Sequence, residues 1–501
     1  MRAALVLLVT TLAAGLVTAS AASSAAAAAP SADVVRTGSG LVRGTSEGPL
    51  RLFQGIPFAR PPVGSLRWQA PRPVRPWGGV YDATFPRSQC AQIAPAYGGS
   101  TTYGEDCLYL NVTAPTRRHG RLPVMVWLHG GSNLTGSGSA YDAAALAGEG
   151  DVVVVTVNYR LGVFGWLAHP SFGSGTGNYG LLDQQAALRW VRRNAAAFGG
   201  DPRNVTLFGE SAGAADTCAS LVSPTAAGLF HKAVMQSYSC AFPARTMPAA
   251  EADAASVAAA VGCADAGCLR GVSAKTLLER FAALGAAAGP VVGDRVLPRQ
   301  PADAIARGRF NRMPVMHGNT LDEMRLYVAL FYPQPITEEQ YDDIVLATYG
   351  PAVLTRYPAA SYPEPRIALA TIQTDYGGPL STCTHLDAYR LLAERVPVYA
   401  YQFADREAPP LIDAPGFDEG AEHATELTFL WPNLLGSLTE PQERLSDRMV
   451  RYWTTFAHDG RPAGWPRFRD ADDVLSLSPD RIRPVDIAEQ SNCAFWSELT
   501  G

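Results

Sequence analysis

The residues best placed for chemistry are Val205-Thr206-Leu207-Phe208-Gly209-Glu210-Ser211-Ala212-Gly213. β-branched and apolar positions run into G-x-S-x-G, and small residues follow. This order predicts a strand, a sharp turn and a helix, with the Ser211 hydroxyl lifted above a sheet edge to meet a substrate. Gly209, Ala212 and Gly213 are small because a larger side chain would crowd so tight a turn. A bare G-x-S-x-G also occurs in ordinary turns; the strand before it and the small-residue run after it favour a nucleophile. Acyl transfer by a serine needs a base, an acid that orients the base, and donors for the oxyanion. On strand–turn–helix sites of this kind the chain order is Ser, then Asp or Glu, then His. Downstream, His423 sits on the polar loop Glu422-His423-Ala424-Thr425-Glu426 and leads as the base, whereas His385 and His458 read as helix-face residues. Backbone N–H groups of Ala212, after the nucleophile, and of Gly131 and Ser132 in a glycine-rich loop are the oxyanion-donor candidates.

The elements that must hold these groups are visible as periodicity. Leu122–Leu128 is a continuous apolar run, read as a buried strand that ends in His129-Gly130-Gly131-Ser132. Val152–Val157, Val205–Phe208, Ala233–Met235, the run from Pro314 to Gly318, and Val396–Phe403 read as further strands. Asp183–Phe198 and Ser446–His458 carry apolar residues at helical spacing, and Ala249–Leu284 reads as alanine-rich helix broken at Cys263–Cys268. Strands alternating with helices imply an α/β fold with a mostly parallel sheet covered on both faces. Phe53-Gln54-Gly55-Ile56-Pro57-Phe58-Ala59 leads into a proline-rich stretch through Trp77, which has no helical period and is expected to wrap the surface. No internal repeat and no linker-like composition interrupts residues 29–501, which predicts a single domain despite the 501-residue length.

Composition narrows the function. A net charge of −5 argues against nucleic acid as a partner, and two lysines, Lys232 and Lys275, against scattered arginines do not form a basic patch. Residues 1–28 read as a signal peptide: Arg2, an apolar core from Ala3 to Leu16, then small residues. The core is short for a span of about 20 residues, so no transmembrane anchor is expected and the protein is predicted to be secreted. Eight cysteines, an even number, suit disulfides in an exported chain. Spacing alone leaves 105 pairings open. No C-x-x-C or zinc-spaced Cys/His group appears, so no metal is expected.

Several blocks together resemble the type-B carboxylesterases, the cholinesterase-like branch of the α/β-hydrolases. They are Glu105-Asp106-Cys107-Leu108-Tyr109-Leu110-Asn111, the His129 loop, Asn158-Tyr159-Arg160-Leu161-Gly162, the run from Gly177 to Gln184, Phe198-Gly199-Gly200-Asp201-Pro202 and the Ser211 elbow. Asp322-Glu323 and the His423 loop follow. The resemblance spans about Val42 to Trp465. It implies an α/β-hydrolase fold: a large mostly parallel central sheet flanked by helices, with inserted helical and loop segments. It implies Ser211, Glu323 and His423 as the triad, Gly131, Ser132 and Ala212 as the oxyanion hole, and Glu210 and Ser237 as buried support. It also pairs Cys90 with Cys107, Cys263 with Cys268 and Cys383 with Cys493, leaving Cys218 and Cys240 for a fourth bridge.

Two departures stand out. Ser132 occupies the family's third loop glycine and is strained if that position needs positive φ. The Cys90–Cys107 loop holds no tryptophan to bind a quaternary ammonium, which argues against choline esters. The expected activity is hydrolysis of small-molecule carboxylic esters through an acyl-enzyme, without a cofactor. A lipase acting on long-chain glycerides is the enzymatic alternative. A non-catalytic adhesion protein ranks lower because all three triad positions are filled. Between Asp322 and Glu323 strand geometry does not decide; the family pattern favours Glu323.

Overall fold

A computed structural model describes residues 33–116, 120–173 and 177–500. The predicted signal peptide, residues 1–28, lies outside the described residues. Eleven strands form one sheet: β1 (Thr45–Glu47), β2 (Leu50–Pro57), β3 (Tyr109–Pro115), β4 (Leu122–Leu128), β5 (Val153–Val157), β6 (Gly200–Glu210), β7 (Lys232–Gln236), β8 (Val315–Thr320), β9 (Val398–Phe403), β10 (Val474–Leu477) and β11 (Arg483–Val485). Their spatial order is β11-β10-β9-β8-β7-β6-β4-β5-β3-β2-β1. Every pairing from β5 through β4, β6, β7, β8 and β9 to β10 is parallel, and the outer pairings are antiparallel. The sheet is therefore mostly parallel, and its parallel centre is buried on both faces, as such sheets must be.

The two faces follow from alternation along each strand. In β4, Val124, Val126 and Leu128 pack with Leu188 and Val191 of helix α1 (Tyr179–Phe198), Leu221 of α2 (Ala212–Val222) and Leu386 of α3 (Thr382–Ala393). Met125 and Trp127 face the other way, onto Met449, Trp453 and Phe456 of α4 (Glu440–Asp459). Helix α4 begins where the Gln442 side chain accepts from the Thr439 N–H, 2.9 Å away, and it starts six residues before the expected Ser446. Each fully buried Leu or Phe contributes about 1.5–3 kcal/mol to holding these layers together.

Two expectations need correction. Helix α1 starts at Tyr179, four residues before the expected Asp183. Asp183 is fully buried and paired with Arg160 at 2.7 Å inside the helix. The alanine-rich stretch is three helices, Met247–Ala260, Ala266–Gly271 and Ala274–Ala283, capped by side chains of Thr246, Asp265 and Ser273. Disulfides join Cys90–Cys107, Cys218–Cys240, Cys263–Cys268 and Cys383–Cys493.

Strand register places the site. Glu210 pairs with Gln236, which pairs with Gly318, so the C-terminal ends of β6, β7 and β8 share one edge; Thr320 of β8 pairs with Phe403 at the end of β9. Ligands of parallel α/β sheets bind beyond this edge.

Candidate active site

Ser211 leaves β6 and caps α2 with φ +54° and ψ −122°, a conformation rare for a residue with a Cβ. Its N–H donates to Gln236 O at 2.8 Å, and the Ala214 and Ala215 N–H groups return to Ser211 O at 3.0 Å. The turn survives only because its neighbours are glycines. A Cβ on Gly213 would sit 2.0 Å from Leu128 O, and one on Gly209 would sit 2.5 Å from the Gly213 carbonyl. Leu128 pairs with Gly209, so the loop after β4 is carried beside the elbow.

Gly131, Ser132 and Asn133 have φ of +101°, +56° and +57°. The positive φ at Ser132 is the strain foreseen from its replacing a glycine. Among the described residues, the N–H groups of Gly131, Ser132 and Ala212 have no protein acceptor. Three uncommitted donors beside Ser211 are what an oxyanion needs.

Five residues beyond Gly318, Glu323 is fully buried. Its Oε1 accepts from the Thr320 N–H at 2.8 Å, and its Oε2 lies 2.6 Å from His423 Nδ1. Asp322 turns elsewhere. Its carboxylate meets Arg406 at 2.9 and 3.0 Å, Arg325 at 3.3 Å and the Ala421 N–H at 3.1 Å. It ties down the loop two residues before His423 without touching the imidazole. His385 and His458 lie on α3 and α4. His385 Nδ1 faces its own helix at Ser381 O, and His458 Nε2 lies 3.0 Å from Gly150 O.

His423 Nε2 lies 3.1 Å from Glu210 Oε1, yet that oxygen forms no hydrogen bond, so Nε2 is close to Glu210 without being committed to it. Ser211 Oγ likewise has no hydrogen-bond partner among the described residues; such contacts often tighten only when substrate is bound. Burial lowers the His423 pKa, but the carboxylates of Glu210 and Glu323 outweigh it and lift it to about 9. Burial pushes Glu323 up, and the charge and hydrogen bond of His423, with Ser237 and Thr320, bring it below the ordinary value. Burial raises Glu210 to about 8 and Glu426 to about 7. Glu426 was not singled out in the sequence. It reaches the cluster through Gln236, whose side chain donates to it at 3.1 Å.

Ser211 and Ala212 open into a pocket of about 730 Å³, lined by apolar groups such as Tyr327, Phe331 and Leu380 and by the Cys218–Cys240 bridge. Cys218, Cys240 and His317 converge as three potential metal donors, but both sulfurs are spent in the disulfide. No helix among the described residues is long and apolar enough to cross a membrane.

The profile of the carboxylesterase family matches residues 31–496. The chain is 37% identical to the para-nitrobenzyl esterase of Bacillus subtilis, over 87% of this chain and 93% of that protein. It is 34% identical to a human cocaine esterase, over 87% and 85% respectively. A crystal structure of a Geobacillus stearothermophilus carboxylesterase superposes with a TM-score of 0.80 at 34% identity, covering 92% of this chain and all of that one.

Proposed function

This chain belongs to the carboxylesterase family and is a carboxylic ester hydrolase of the α/β-hydrolase fold, and on that premise we propose that Ser211, His423 and Glu323 carry the reaction through an acyl-enzyme in an exported protein. Ser211 Oγ attacks the ester carbonyl as His423 Nε2 takes its proton, and the N–H groups of Gly131, Ser132 and Ala212 receive the oxyanion. The same nitrogen returns the proton to the departing alcohol. It then deprotonates a water that releases the acid and restores Ser211. Glu323 holds the proton on Nδ1, which keeps Nε2 free to accept. Glu210 and Ser237 support the site without reacting.

The observation that carries this reading is the 2.6 Å contact between His423 and Glu323, buried at the edge where Ser211 lines the pocket. Residues 29–501 are read as one hydrolase domain, which the extent of the family match supports. Export is supported by the signal-like residues 1–28 and by the use of all eight cysteines in disulfides. The substrate is a small-molecule ester; the apolar pocket wall suits an uncharged chain or ring.

The test is Ser211→Ala with an organophosphate probe. Turnover of p-nitrophenyl esters should drop by several orders of magnitude with the fold intact, and the probe should label wild type at Ser211 alone. Labelling at another residue, or an active alanine variant, would reject the assignment.

A further inference from the structure

The elbow and the oxyanion loop share a buried partner that the reaction scheme does not use. Asp216, on α2, is fully buried. Its Oδ1 accepts from Asn133 Nδ2 at 3.2 Å and its Oδ2 from Gln184 Nε2, on α1, at 2.5 Å. Asn133 is itself only 2% exposed and follows Ser132 directly. Its carbonyl accepts from the Gly162 N–H at 2.7 Å, so both its backbone and its side chain are held.

The backbone gives this clamp a purpose. Ser132 and Asn133 stand side by side in the left-handed region, where a residue with a Cβ is disfavoured. Such a pair persists only where its surroundings over-determine it. Asn tolerates the conformation better than most residues but does not enforce it. Asp216 offsets the strain of having side chains rather than glycines at these two positions. A carboxylate without a cationic partner in a closed site is costly to bury, and burial raises Asp216 to about 7 despite its two amide donors. A group so placed calls for a use.

We propose that Asp216, through Asn133 and with Gln184 bracing its other oxygen, is a positioning residue that holds Ser132 in the left-handed turn and so keeps the Ser132 N–H aimed at the oxyanion. This rests on reading Ser132 as an oxyanion donor to a Ser211 nucleophile. The device is electrostatic and conformational: Asp216 is fully buried and does not line the pocket.

The experiment compares Asp216→Ala, Asn133→Ala, Asn133→Gly and the double variant Asp216→Ala/Asn133→Gly on a p-nitrophenyl ester that wild type hydrolyses. Losing a whole oxyanion donor costs about 10²–10³ in kcat; a donor released but still present should cost less. Asp216→Ala and Asn133→Ala should each lower kcat by about 10–100-fold while KM moves less than about threefold. Asn133→Gly should lose less than Asn133→Ala, since glycine takes positive φ freely although it no longer ties Ser132 to Asp216. In the double variant, glycine should recover part of the turnover lost with Asp216, an outcome that a purely structural role for Asp216 would not give. If Asp216→Ala does not fold, the Asn133→Ala against Asn133→Gly contrast decides by itself. Equal turnover of those two variants, or a folded Asp216→Ala enzyme with wild-type kcat, overturns the proposal. An active Ser211→Ala enzyme would instead overturn the reading beneath it, so the two failures are distinct.

Discussion

Replacing Glu323 by Gln tests the acid of the site most sharply, because the structure says which way the new amide will face. The Thr320 N–H donates to Glu323 Oε1 at 2.8 Å and needs an acceptor in its buried position. A glutamine must therefore keep its oxygen on Thr320 and turn its NH2 toward His423 Nδ1, 2.6 Å from the present Oε2. That forces Nδ1 to accept and puts the ring proton on Nε2, the nitrogen that has to take the serine proton. The analogous change in a serine protease triad costs about 10⁴ in turnover, or about 5.4 kcal/mol of activation free energy at 1.36 kcal/mol per decade. Glu323→Asp shortens the reach by one methylene, stretching a 2.6 Å contact beyond hydrogen-bonding distance, and should also be severely impaired. Asp322→Asn is the control. It weakens contacts to Arg406, Arg325 and the His423 loop, and should lower stability by about 1–3 kcal/mol with turnover within about tenfold of wild type at 25 °C. The assays are single-turnover acylation with a p-nitrophenyl ester and thermal unfolding by circular dichroism. The reasoning is refuted if folded Asp322→Asn loses 10³-fold or more while Glu323→Gln stays active.

Catalysis needs a neutral imidazole, and Glu210 and Glu323 stabilise the charged one, so turnover should rise with pH through a midpoint above the ordinary histidine value of about 6.5. Glu210→Gln removes one of those negative charges and should move the acid limb to lower pH. The limb belongs to the coupled Glu210–His423 pair, and a shift to higher pH in the pH–kcat/KM profile would contradict the assignment. Gly213→Ala drives a Cβ to 2.0 Å from Leu128 O, a backbone atom that cannot step aside; a loss above about 3 kcal/mol, or no soluble protein, is expected, and a denaturant midpoint near wild type would count against the elbow geometry. Thiol titration of denatured, unreduced protein should find none of the eight cysteines free, and two thiols mapping to Cys218 and Cys240 would show that bridge to be absent.

The sequence by itself determined what depends on neighbours along the chain. The strand–turn–helix at Ser211 is local: apolar β-branched residues, two glycines and a small-residue helix leave the backbone little choice. The apolar run of β4 and the alternation of strands with helices likewise fixed an α/β sheet, and the linked blocks from Asn178 to Gly213 marked the family. Tertiary structure decided wherever residues distant in sequence compete for one place. Asp322 and Glu323 are adjacent carboxylates of similar chemistry, and only the register of β8 against β7 and β9, with Arg406 waiting for one of them, sends Glu323 to His423. Asp183 lies one turn inside its helix, where Arg160, from the segment after β5, pairs with it; the spacing of apolar residues does not register such a pair. The Asn133–Asp216–Gln184 cluster had no signature in the chain, because its members lie on a loop and two helices, 83 and 32 residues apart. Buried charge has this property generally: its energy depends on partners and on the exclusion of water, and both exist only once the chain has folded.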